Sequence, residues 1–311
     1  GVSMEQLKLK YGLDEVPPIV DLIFLGLQWF VITVPTLIIM GNVVAALHFG
    51  NPVDQTIYIQ KVFFMTGVSF LIQLLWGHQL PLVMGPSSVL LVGITVSRSS
   101  SISDIYTAIA IGGLVLFIIS AAGLFNKIKN LFTAPVVATI LILVAFTLTP
   151  TILNLLTSSS APELALPNIL FALIFVLCIF AVNRYVTGFW KSTLIMWALI
   201  VGTVVYLLIF PESFAMAKVA DTGIIAGFFS SMNFNWSFDP GVIIAFLICF
   251  LALSINGLGS SCSVGGMLKP DHMPKRVTRG LSWTGILNFF SGLLGVIGPV
   301  NYSMSPGVIA S

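Results

Sequence analysis

Apolar residues in this chain come in long unbroken runs, neither alternating as in a half-buried strand nor confined to one helical stripe as in a soluble helix. A helix crossing about 30 Å of hydrocarbon needs about 20 mainly apolar residues. Ten runs are read as passes: Leu22–Ala45, Ile57–Leu75, Pro81–Val96, Ile105–Leu124, Ala134–Leu148, Ile169–Val182, Trp190–Ile209, Val242–Ile255, Leu281–Val296 and a terminal Ile297–Ser311. The third and the last are short and interrupted by Gly and Pro. The pattern predicts an all-α polytopic membrane protein with two broken spans.

Composition sharpens this reading. Of the 311 residues, 57% are hydrophobic and 8% charged, against about a quarter charged in soluble domains, and the mean hydropathy is +1.06. Thirteen basic and eleven acidic residues leave a net charge of +2, with no clustered basic face for nucleic acid. Cys178, Cys249 and Cys262 have no metal-site or disulfide-framework spacing and are expected to be buried small side chains. The first apolar run is too long for a signal peptide, lacks a cleavage site, and is expected to stay as a span. There is no nucleophile–base pair, carboxylate pair or metal spacing, and His48, His78 and His272 all fall at predicted membrane edges. An enzyme, a cofactor and a metal are therefore not expected.

Charge also orients the chain. With a cytoplasmic N-terminus, Lys8, Lys10, Lys127, Lys129, Arg184, Lys191, Lys269, Lys275, Arg276 and Arg279 lie inside, and only Lys61, Arg98 and Lys218 outside. This satisfies the positive-inside rule. No Asp, Glu or His falls within the middle of a span, so the usual marker of a proton relay is absent. Lys61, about a turn inside the second pass, is expected to snorkel to the interface. The loop Lys269–Arg276 reads as a topology anchor with His272 solvated.

The broken passes carry the candidate chemistry. The third holds Pro81, Gly85 and Pro86, the tenth Gly298, Pro299, Pro306 and Gly307, all costly in a continuous helix. Irregular backbone at membrane depth survives only where protein or a water-filled cavity satisfies it. Two interrupted segments in corresponding positions of two halves point to a transporter binding site. They lie seven passes apart, an odd number, so the halves of such a repeat are inverted and the breaks meet near the midplane. Half-helices starting at Ser87 or Ser88 and near Ser305 would aim N–H groups at a ligand. Two kinked structural helices without a ligand are the plainer alternative.

Several strings resemble a known family. Tyr11-Gly-Leu-Asp-Glu-Val-Pro-Pro18 with Leu25-Gly-Leu-Gln28, Leu80-Pro-Leu-Val-Met-Gly-Pro-Ser87, Leu131-Phe-Thr-Ala-Pro-Val-Val137 and Ser291-Gly-Leu-Leu-Gly-Val-Ile-Gly-Pro299 are similar to motifs of the nucleobase–ascorbate transporters, the uracil, xanthine and uric acid permeases. The resemblance implies a seven-plus-seven inverted repeat, with a core domain of spans one to four and eight to eleven and a gate domain from the others. It assigns 1–21 to a cytoplasmic segment, 22–124 to core spans one to four, 125–209 to gate spans five to seven, 210–241 to an extracytoplasmic loop and 242–311 to core spans eight to ten. About four further spans would follow, including half of the gate. Dimerisation through gate spans is also implied.

Carried over residue by residue, the resemblance places Asn256 where the family has a base-binding Glu in the eighth span. Tyr302 falls over the tenth-span aromatic, Met304 over the Glu or Gln and Ser305 over the following Asn, in a register uncertain by one residue. Gln28-Trp29 stands for the first-span Gln-His pair, and Ser88 for the aromatic after Ser87. The expected substrate-binding set is Asn256, Gln28, Trp29, Ser87, Ser88, Val89, Tyr302, Ser303, Met304 and Ser305, with Asn301 as a further neutral group.

Such a site has no titratable acid, so it suits a nucleobase held by amides and backbone N–H groups in the inner or plasma membrane. Coupling to H+ or Na+ is left open, and facilitated diffusion or another ion fits better than a Glu-based proton symport. Two alternatives stand beside this reading: an anion transporter of similar fold, and a non-transporting scaffold or receptor. The Ser/Gly run 257–266 and the amide of Asn256 also have an interhelical packing reading.

Overall fold

The computed structural model describes residues 15–124, 164–187, 194–211 and 235–302, with single residues between and beyond them, among them Leu13, Met232 and Ser305. Most of the fifth predicted pass and of the stretch after Tyr302, including Ser303 and Met304, lies outside the described residues. In chain order the described elements are α1 (Ile19–His48), α2 (Pro52–Leu75), β1 (Met84–Pro86), α3 (Ser88–Val96), α4 (Ile102–Ala121), α5 (Ala165–Tyr185), α6 (Leu194–Ile209), α7 (Pro240–Leu268), α8 (Met273–Leu294) and β2 (Pro299–Asn301). Among the described residues, α1, α2, α4, α5 and α7 are long and apolar enough to cross a membrane. Phe24, Leu177, Phe180 and Ile248 are exposed on these helices, as expected where lipid is the solvent.

Local chemistry sets the helix starts. Asn51 and Asp239 accept backbone N–H bonds at the heads of α2 and α7, each followed by Pro at the first helical position. Ser101 and Asp104 form a reciprocal capping box on α4. Gly295, at φ 66°, ends α8 by adopting the left-handed conformation a side chain resists, while Val296 N–H returns to Ser291 O at 2.9 Å.

Helices α4 and α8 form the closest pair because glycines remove the side chains between them. A Cβ on Gly113 would lie 2.5 Å from Phe289 N, and one on Gly285 2.5 Å from Phe117 N, so backbone meets backbone. Across this pair α7 packs Phe246 and Phe250, and α3 packs Leu90 and Ile94, into one core with Tyr58, Tyr106 and Ile109.

Several expectations are corrected. The eighth pass, read as Val242–Ile255, is the first half of a 29-residue helix running on to Leu268. In its polar second half Ser260 and Ser261, like Ser254 before them, satisfy their hydroxyls by donating to the carbonyl one turn back and so need no outside partner. The ninth begins at Met273, eight residues before Leu281, on a polar first turn. Lys61 does not snorkel: it is 3% exposed, and its Nζ donates to Leu294 O at 2.9 Å, capping the C-terminus of α8. Cys178 and Cys262 are exposed and Cys249 half-buried, since lipid tolerates small apolar groups as well as a protein core does.

The Gly113/Gly285 contact makes a specific prediction. Gly285→Ala forces helix separation and should lower stability by about 1–3 kcal/mol, the usual cost of overpacking. Gly266→Ala, where the added methyl meets nothing, should leave it unchanged. Thermal melts of the two purified variants in the same detergent check this.

Candidate functional site

The third and tenth segments meet in the interior as a two-stranded antiparallel pair, with Met84 opposite Asn301, Gly85 opposite Val300 and Pro86 opposite Pro299. All six residues are buried. The prolines face each other where neither can donate, so this position leaves no unmet N–H. Bonding continues past both ends: Ser87 N–H donates to Gly298 O at 3.0 Å, Tyr302 N–H to Val83 O at 2.7 Å, and Val83 N–H to Ser305 Oγ at 2.9 Å.

β1 leads directly into a helix start. Ser87 caps α3, its Oγ accepting from Leu90 N–H at 3.3 Å. After β2, Ser305 N–H and Oγ both turn back to Tyr302 O, at 3.2 and 2.6 Å. Tyr302 lays its ring over Gly85, where a Cβ would strike it, and its hydroxyl donates to Pro86 O at 2.8 Å. Trp29 of α1 and Tyr302 each pack against Ile32 and Val83, so two aromatic side chains border the crossing.

On the α7 side, Asn301 O accepts from Ser260 Oγ at 3.3 Å and, at a long 3.5 Å, from Asn256 Nδ2. Thus Trp29, Ser87, Asn256, Tyr302 and Ser305 gather at the strand pair. Ser88 is exposed at the head of α3, Val89 beside it is half-buried, and Gln28 is half-buried next to Trp29. Ser303 and Met304 lie outside the described residues.

Other polar groups support the crossing. Asn288 of α8 donates to Thr284 O at 2.8 Å and to Pro299 O at 3.0 Å, tying β2 to α8. Tyr58 of α2 accepts from Ile297 N–H at 3.0 Å and from Tyr106 Oη at 2.9 Å. Sequence reading passed over Asn288, Tyr58 and Ser260. An Asn, a Tyr or a Ser in an apolar helix is a signal for a buried hydrogen bond, but its partner emerges only when the broken segment is placed beside it.

Below the crossing, at the end holding Arg276 and Arg279, His78 was expected at a membrane edge. It is 1% exposed, enclosed by α2, α8 and β2. A titratable side chain therefore stands beside the strand pair, contrary to the expectation that none would.

Residues 20–311 match the sequence profile of the Permease family, that of the xanthine and uracil permeases. The chain belongs to that family. The uric acid permease PucK of Bacillus subtilis is 23% identical over 303 residues, covering 93% of this chain and 68% of the relative. The xanthine permease of the same organism is 22% identical over 268 residues, 84% of this chain and 60% of its own length. Nucleobase-ascorbate transporter 2 of Arabidopsis thaliana is 31% identical over 104 residues, 33% of this chain and 20% of the plant protein. With such relatives the protein is a multi-pass membrane permease and not an enzyme.

Removing the support of β2 should be costly. Asn288→Leu leaves Pro299 O buried without its donor, at about 1–3 kcal/mol for a lost buried partner. A drop in melting temperature larger than that of Ser282→Ala, whose hydroxyl serves only Thr278 O, checks this.

Proposed function

We propose that this permease carries a nucleobase, a purine such as xanthine or uric acid or a pyrimidine such as uracil, by alternating access at the crossing of its broken spans. One observation carries the reading: two interrupted segments, the first leading into the Ser87-capped start of α3, cross beside Asn256, Trp29 and Tyr302. A planar base needs an aromatic face and in-plane donors and acceptors. Trp29 and Tyr302 are the aromatic faces. Asn256, Ser88 and the half-helix N–H groups are the polar contacts, with Gln28, Ser87, Val89, Ser303, Met304 and Ser305 completing the lining.

In this reading residues 22–124 and 242–311 form a core that moves against a gate beginning at 125–209, in the inverted-repeat arrangement. The N-terminus and the Lys269–Arg276 loop face the cytoplasm, and the plasma or inner membrane is the location. Asn256 stands in for a carboxylate, so the base is held by a neutral amide. The names of the uric acid and xanthine permeases among its relatives support the solute class.

A second reading rests on the same geometry. The Ser87-capped start of α3, with no acid beside it among the described residues, also suits a small anion. Radiolabelled uracil, xanthine and uric acid, and separately sulfate and bicarbonate, are offered to the protein in proteoliposomes. The nucleobase reading expects saturable base uptake, with affinity lowered about tenfold or more by Asn256→Ala, the scale of one lost hydrogen bond to a buried polar group. Anion uptake indifferent to Asn256→Ala replaces it with the second reading. Binding without flux assigns a receptor or scaffold.

A further inference from the structure

The buried His78 is not absorbed by this account, and its surroundings are specific. Its Nδ1 accepts from Leu80 N–H at 3.0 Å, which leaves the ring proton of the neutral tautomer on Nε2. Nε2 is buried, and the side-chain amide of Asn301 faces the ring from β2 close enough to favour a proton on it. Leu80 opens the extended segment that becomes β1, and Asn301 is the residue whose carbonyl holds Ser260 and Asn256. One imidazole thus touches the entry to the third span and faces the core of the tenth.

Of the groups around it, the Asn301 amide favours a proton on the ring, while burial and Arg276 oppose it and prevail. From α2, Gln73 Oε1 accepts from His78 N–H at 3.3 Å. From α8, Gly280 abuts the ring and Arg276 donates to His78 O at 3.4 Å and to Gln79 O at 3.1 Å. Arg279 is turned to Gln79 Oε1 at 2.8 Å. The neighbouring side chains of Leu80, Leu82 and Val264 are apolar. Among the described residues no acid faces the imidazole, and Arg276 opposes a second positive charge.

We propose that His78 is a proton-controlled positioning residue of the permease: neutral, it pins Leu80 and the third-span entry beneath Asn301; protonated at Nδ1, it releases them. The proton comes from bulk water and takes the Nδ1 lone pair. The only bond given up is the hydrogen bond from Leu80 N–H, which then faces another N–H. Burial pushes the imidazole down to about 4 in the closed arrangement, against about 6.5 when solvated. The released state therefore binds more protons between these values, and the closed state loses stability as pH falls from about 6.5 towards 4. The consequence for solute movement rests on the transport reading above; the latch itself does not.

The test separates the two. Hydrogen exchange of the segment 78–86, corrected for the intrinsic pH dependence of exchange, is measured at pH 7.5 and pH 5 in nanodiscs for the wild type and His78→Asn. Asparagine can still accept from the N–H two residues on but cannot titrate. The wild type should lose protection by more than about tenfold, as the two imidazole affinities require, while His78→Asn stays protected at both pH values. Arg276→Gln, by removing the charge that opposes a proton in the closed arrangement, should make the loss at pH 5 smaller than in the wild type, which keeps the test intact if the Asn variant does not fold. Equal behaviour of wild type and His78→Asn, or a loss in Arg276→Gln as large as that of the wild type, overturns the proposal. Nucleobase uptake by the same proteins in proteoliposomes should lose its pH dependence in His78→Asn. Gated exchange without uptake of any base would sink the transport reading and leave the latch standing.

Discussion

Everything in the described fold depends on satisfying backbone polar groups where the third and tenth segments leave the helical conformation. At membrane depth an unmet N–H or carbonyl costs several kcal/mol, and a single broken span has no partner for its own. Here each break is the remedy for the other: residues 83–87 and 298–302 exchange backbone bonds in antiparallel register, and the opposed Pro86 and Pro299 need no donor. The carbonyls left over are met from the side by Asn288, Ser260 and the Tyr302 hydroxyl. The close glycine contact of α4 with α8 fixes the scaffold on which α8 presents Asn288 to β2. Packing, capping and pairing therefore converge on a few residues at the crossing.

Much of this was legible in the sequence. The runs of Leu, Ile, Val and Phe located the described long helices, and Gly and Pro in the third and tenth passes located the breaks, because backbone chemistry at those residues is local. The ends of α7 and α8 were not legible: an apolar run stops at Asn256 or begins at Leu281, whereas the helix continues and its polar side chains find carbonyls one turn back. Lys61 and His78 were misplaced for the same physical reason. Distance along the chain from a helix end set their expected depth, but their burial is decided by α8, far away in the sequence, which brings Leu294 O to one and Arg276 and Gly280 to the other.

Among the described residues the buried polar side chains are cationic or neutral. Lys61 meets the carbonyl end of α8, where a positive charge is favoured. Amides fill the positions beside the strands: Gln73 between α2 and α8, Asn288 between α8 and β2, and Asn256 between α7 and β2. An amide donates and accepts at once and has no ionised form to desolvate, so it can tie a strand carbonyl to a helix at a lower desolvation cost than a charged group.

This bears on what a carboxylate at position 256 would do. A carboxylate accepts only, so it could not donate to Asn301 O as the amide does, and that carbonyl would rest on Ser260 alone. Replacing a titratable acid by Asn256 thus has two linked effects: proton chemistry leaves α7, and α7 gains a bond to β2. Proton sensitivity, if the permease has it, must then enter from a group that touches the strands elsewhere. Among the described residues His78 is the imidazole that does so, at the side chain of Asn301, while Asn256 meets the carbonyl of the same residue. On the proposed reading, a change at His78 would reach the site around Asn256 through Asn301 and the strand it belongs to.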